Sequence, residues 1–165
     1  MNRFWKAVFL ATLVAGTLDI IAAYIHVTLA SGQFPAKMFY VIAGHAIGLK
    51  TALAGGPPVF VLGIFIHYFI SFSFSLFFFL VYPAIYKVLS NKYLIGLLYT
   101  LFAWSTMKFI VLPLTAMPPG PFVLNIQEVI GFLIFIVVFG MPISIMAHRY
   151  YKSGIAEDDK VKTRV

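Results

Sequence analysis

Cysteine is absent from all 165 residues, which excludes a disulfide scaffold, a thiolate metal site and a lipoprotein anchor. Charge is nearly as scarce. Charged residues make up 10% of the chain and only five are acidic, against about 25% charged in a soluble domain. Of the 17 charges, ten lie outside residues 7 to 147: Arg3, Lys6, Arg149, Lys152, Glu157, Asp158, Asp159, Lys160, Lys162 and Arg164. The seven that remain cannot cover a water-facing surface. Hydrophobic residues at 62% also exclude intrinsic disorder. The net charge of +7 sits at the edges of apolar runs and not along one face, so no nucleic-acid-binding surface is indicated. Period-2 alternation is missing too, which excludes a membrane β-barrel.

What the chain has is long apolar runs. A helix needs about 20 apolar residues to cross about 30 Å of hydrocarbon, and four segments qualify: residues 7–30, 58–82, 93–114 and about 126–147. The expectation is an all-α integral membrane four-helix bundle, one domain over residues 1–152, with a cytoplasmic tail at 153–165. The first run exceeds the 7 to 15 residues of a signal-peptide core, so it reads as a retained span. With the N-terminus inside, Arg3, Lys6, Lys87, Lys92, Arg149, Lys152, Lys160, Lys162 and Arg164 share one side and only Lys37 and Lys50 the other. By the positive-inside rule the termini are both cytoplasmic.

Between the first two spans, Met38 to Leu49 is an apolar run too short to cross, bracketed by Lys37 and Lys50. Gly44 and Gly48 allow close helix approach, and Gly55-Gly56-Pro57-Pro58 breaks the chain before the next span. A short helix over about 36–52 follows, lying in the outer interface or re-entering the membrane.

Ionisable groups at membrane depth are costly and are therefore the candidate functional residues. Asp19 sits near the centre of the first span, on a stripe of small or polar residues with Thr12, Gly16, Ala23 and His26. Gly63, His67, Ser71 and Ser75 recur every four residues in the second span, a polar ridge among phenylalanines that belongs inside the bundle. Lys108 lies a few residues inside the outer end of the third span. Its side chain points toward the helix N-terminus, which suggests Asp19, Glu128 or a water-filled cavity as its partner. Glu128 itself suits the first turn of the fourth span. His45 overhangs the same half from the short helix, whereas His148 reads as interfacial. The expected site is an outward polar pocket formed by Asp19, His26, His67, Lys108, His45 and Ser71. No cofactor is predicted. Counting from the helix ends places His26 and His67 at similar depth, so a haem or transition-metal site on this pair is one alternative.

The segments Gly16-Thr17-Leu18-Asp19-Ile20, Ile42-Ala43-Gly44 with Gly48, Ala54-Gly55-Gly56, Leu62-Gly63 with His67, Val111-Leu112-Pro113-Leu114 and Gly140-Met141-Pro142-Ile143 resemble a family of small four-span bacterial inner-membrane proteins usually called hypothetical. The resemblance covers nearly the whole chain. It implies a bacterial inner-membrane location, marks Asp19, His67 and the Gly-Gly break, and brings no activity with it.

No nucleotide loop, zinc-protease helix or nucleophile elbow is present, which argues against an enzyme. The leading expectation is a pocket that binds or moves a small solute, ion or proton, with Asp19 as the titrating group. A homodimer would give such a small chain room for alternating access, and the lipid bilayer is its other partner. A structural or accessory subunit without transport activity is the runner-up.

Overall fold

The computed structural model describes residues 2–118 and 123–162, with side chains as far as residue 153. Four helical stretches are long and apolar enough to cross a bilayer: Arg3–Ser31, Gly56–Leu89, Lys92–Leu114 and Ile126–Ser153. Helix α1 (Arg3–Ser31) begins at Asn2, whose side chain accepts from the Phe4 amide. Two short helices follow, α2 (Met38–Ile47) and α3 (Leu49–Ala54). The sequence suggested one helix here, but Gly48 at φ +85° breaks it. Helix α4 (Gly56–Leu89) is the second span. The third is α5 (Lys92–Thr106), running on as a π-turn over Met107–Val111 and a 3-10 turn over Leu112–Leu114. The fourth comprises α6 (Ile126–Phe135), a π-turn over Ile136–Gly140, and α7 (Met141–Lys162), whose helix continues through residue 153 into the charged tail. Among the described residues there is no strand.

Proline accounts for both π-turns. Pro113 and Pro142 each stand two residues beyond one, and neither has an amide hydrogen with which to continue the α ladder. The preceding amides reach back five residues instead, Leu112 to the Met107 carbonyl and Met141 to the Ile136 carbonyl. Pro83 in α4 poses the same problem with a different solution. It cannot donate to the Phe79 carbonyl, and the Tyr151 hydroxyl from α7 does so at 2.6 Å.

The packed core lies in the half of the bundle that carries the termini. Val8, Ala11 and Ala15 of α1 meet Phe78, Phe79 and Tyr82 of α4, Ile95, Tyr99 and Ala103 of α5, and Ile143 and Ala147 of α7. Helices α4 and α7 touch across the bundle here, as the Tyr151–Phe79 bond shows. Alanine and glycine on α1 and α5 allow that convergence, as small residues do at helix interfaces in lipid. The large side chains left exposed, among them Leu13, Phe65, Leu101 and Leu133, are those expected to face acyl chains.

At the other end α2 lies across α4. The crossing depends on Gly63, because a Cβ there would overlap the main-chain carbonyl of Phe39. The Phe39 ring contacts Tyr24 of α1 and Phe60 and His67 of α4. On the far side of the bundle the Ala116 amide donates to the His45 carbonyl at 2.8 Å. Helix α2 therefore spans from the α1–α4 pair to the end of the third span, as a roof.

Candidate functional site

Beneath that roof the four spans enclose a cavity of about 250 Å³. Its polar lining is Asp19 from α1, His45 from α2, His67 and Ser71 from α4, and Thr115 after the third span. The rest is apolar, including Ile42, Ile70, Phe74, Val111, Phe135 and Phe139. The two π-turns help shape two of its walls, since Met107, Val111 and Phe139 belong to them. A single extra residue per turn re-aims the side chains around it, a device often found at functional sites.

Each polar group is set by its neighbours. The His67 Nε2 lies 2.8 Å from the Gly16 carbonyl. A carbonyl can only accept, so Nε2 carries a proton and donates it. This bond fixes the register of α4 against α1, together with the Thr17–Tyr68 hydroxyl pair at 2.8 Å. It sets His67 level with the middle of α1, where Asp19 also faces the cavity within Coulomb range of the imidazole. Asp19 is half-buried, and among the described residues no protein group hydrogen-bonds its carboxyl. Ser71 is buried one turn beyond His67, near the floor.

At the roof, His45 Nδ1 meets Thr115 Oγ1 at 3.0 Å. The Thr115 hydroxyl donates its own proton to the Leu112 carbonyl at 2.7 Å, so it must accept from His45, which fixes the Nδ1–H tautomer. Burial holds the His45 imidazole below the ordinary histidine pKa. The unfolded chain thus takes up the proton first as pH falls. His45 stabilises the closed roof fully above about pH 6.5, and that contribution is lost as pH drops toward the lowered folded value. Cysteine-free sequence makes this measurable with Ser71→Cys as the sole thiol. Its labelling by a small thiol reagent is expected to rise at pH 5.5 relative to the same probe in His45→Gln, a comparison in which Asp19 and His67 are common to both. Identical pH profiles would remove His45 from the closure.

Two of the six expected site residues lie elsewhere. His26 does not line the cavity. It is ten residues beyond Gly16 along α1, about 15 Å, whereas His67 bonds to Gly16 itself. Phe39 of α2 is in contact with both Tyr24 and His67. Of the pair considered for a haem or metal ion, only His67 lines the cavity, and among the described residues no three His, Cys, Asp or Glu side chains converge. Lys108 forms an ion pair with Glu128 at 2.6 Å, one of the three partners its position suggested. Asn125 caps the same helix start by accepting from the Glu128 amide.

What the sequence reading missed is how apolar the cavity is and where it thins. A groove of about 370 Å³ between α4 and α5, lined by Ile70, Ser73, Phe74, Phe77, Phe102, Thr106 and Val111, shares Ile70, Phe74 and Val111 with the cavity. One layer of side chains separates the interior from the lipid-facing side at this seam. The signal was present in Leu112-Pro113 and Met141-Pro142, which mark where the third and fourth spans depart from α geometry. Comparison with protein-family models, with curated proteins and with solved structures finds no match for this chain.

Proposed function

We propose that the roofed cavity binds a small amphipathic solute and that Asp19 couples its binding to a proton. One observation carries this reading: a carboxyl near the middle of a membrane-length helix, with no protein hydrogen bond among the described residues, faces a largely apolar cavity beside His67. Titratable groups at such depth mark solute and proton sites in membrane proteins. The apolar walls suit a ligand with a hydrocarbon body better than a bare ion, and the thin seam between α4 and α5 supports entry from the lipid phase. Placement in a bacterial inner membrane with cytoplasmic termini accompanies this reading, supported by the cluster of Lys and Arg at the terminal end. A structural role is the second reading. The His67–Gly16 and Thr17–Tyr68 bonds favour it, since both hold α1 to α4.

A thermal-shift screen of the detergent-solubilised protein against small lipophilic amines, carboxylic acids and neutral isosteres, at pH 5.5 and pH 8, separates the two. Under the solute reading at least one class stabilises the wild type with a pH dependence that disappears in Asp19→Asn. The same response persists in His26→Gln, which lies outside the cavity. If no class stabilises the wild type, or if Asp19→Asn responds with an unchanged pH profile, the structural reading stands in its place.

A further inference from the structure

At the terminal end of the bundle, opposite the roof, an open cleft of about 410 Å³ is lined by Lys92, His148, Arg149, Lys152 and Ser153. Two elements form it. Lys92 is the first residue of α5, which Asn91 caps by accepting from the Tyr93 and Leu94 amides. The other four come from just over one turn of α7, where spacings of three and four residues bring side chains to one face. No carboxylate lines the cleft among the described residues.

The walls are held in place before any ligand arrives. Ser144 of α7 donates to the Lys92 carbonyl at 2.6 Å, and Gly96 lets α7 approach so closely that a Cβ there would lie 3.0 Å from the Ser144 Cβ. Buried Tyr82 anchors the histidine, its hydroxyl 3.0 Å from His148 Nδ1. With Nδ1 engaged, Nε2 is the nitrogen left for a ligand. Lys92, Arg149, Lys152 and His148 thus line one cleft with donors of the kind that recognises phosphate oxygens. An apolar strip begins beside it on α5, where Leu94, Leu97 and Leu101 are exposed. A phosphate carrying acyl chains would satisfy both features.

We propose that this cleft binds the phosphate of an anionic phospholipid, with Lys92, His148, Arg149 and Lys152 as donors and the acyl chains along Leu94, Leu97 and Leu101. Basic pockets between spans at the cytoplasmic side are suited to such headgroups. The site shares no residue with the cavity, so either assignment can fail without the other.

The test uses the full chain in a neutral detergent, with the unfolding midpoint titrated against short-chain phosphatidylglycerol, phosphatidylcholine of the same chain length, and inorganic phosphate. Each cation near an anionic lipid contributes on the order of a fivefold gain in affinity. Phosphatidylglycerol is expected to bind at least tenfold tighter than phosphatidylcholine, and the Lys92→Gln/Lys152→Gln variant should lose most of that preference. A Lys37→Gln/Lys50→Gln control at the opposite end should keep it. Should the first variant fail to fold, Arg149→Gln, exposed on α7, reads the same preference at about a fivefold loss. Equal binding of the two lipids, or a preference that survives these substitutions, overturns the site. Inorganic phosphate stabilising as well as phosphatidylglycerol overturns the lipid assignment.

Discussion

Gly63→Ala is expected to lift the roof from the cavity. The added methyl group would occupy the position of the Phe39 carbonyl oxygen, and a main-chain atom cannot rotate away, so α2 must move as a unit. Overpacking of this kind costs roughly 1 to 3 kcal/mol in a packed core. Here the strain can be relieved locally, because α2 and α3 are short and bounded by glycines at 48 and 55–56. The result should be local opening more than global unfolding. With Ser71→Cys as the only thiol, labelling is expected to accelerate on the order of tenfold to a hundredfold in the Gly63→Ala background, the range those energies translate into. Phe39→Ala should not rescue it, since the obstacle is Phe39's backbone and not its ring. Unchanged labelling would mean that α2 does not control access to the cavity.

The four spans were legible because membrane-length apolar runs state their own secondary structure. Helix ends were less so. The first span begins at Arg3 and the second runs to Leu89, since Asn2 caps early and nothing before Ser90 interrupts the helix beyond Pro83, whose orphaned acceptor Tyr151 satisfies. The cavity lining takes in Asp19, His67 and Ser71, which their helix faces single out in the sequence, together with His45 of the short helix. Facing follows from period 3.6 and survives small errors of register. Depth does not: counting from the helix ends puts His26 within about one helical turn of His67, but the register of α1 on α4 is fixed by His67 on Gly16 and by Gly16 against Ser71. Those contacts are tertiary. The roof was foreseen as a short helix between spans, while its crossing at Gly63 required knowing which backbone would approach.

Seen together, the two halves of the bundle divide the work between packing and space. Toward the termini the aromatic residues of α4 interlock with α5 and α7, Phe78 and Tyr99 at 4.4 Å between centroids. Tyr99 also donates to the Phe74 carbonyl at 2.6 Å, at the level where the cavity begins, since Phe74 lines it. Beyond that point α5 gives way to its π-turn over Met107–Val111. The cavity thus lies beside two proline-adjacent turns and above a closely packed base.

That base supplies the second large effect. Gly140→Ala is expected to destabilise the seam between the third and fourth spans by about 2 to 3 kcal/mol, the upper part of the overpacking range. Its Cβ would overlap the Thr100 hydroxyl and lie 3.0 Å from the Gly96 carbonyl. Thr100 is fully buried and donates to that same carbonyl at 2.7 Å, so it cannot swing aside without leaving its hydroxyl unpaired. The chief obstacle here is a side chain, in contrast to Gly63. Removing it should help. Thr100→Ala alone is expected to cost about 1 kcal/mol for the lost hydrogen bond. In the double variant Gly140→Ala/Thr100→Ala the two costs should fall short of additive by at least about 1 kcal/mol, the coupling expected of residues in direct contact. Unfolding in mixed micelles of the wild type, both single variants and the double variant measures that coupling. Additive losses would mean that the Gly96 carbonyl, not the Thr100 hydroxyl, limits the approach, and that the two spans are held apart by backbone alone. The same seam positions Phe139 in the cavity wall and Ser144 on Lys92. A variant that widens it should therefore weaken the proposed solute binding above and the proposed phospholipid binding below together, whereas Gly63→Ala should affect only the first.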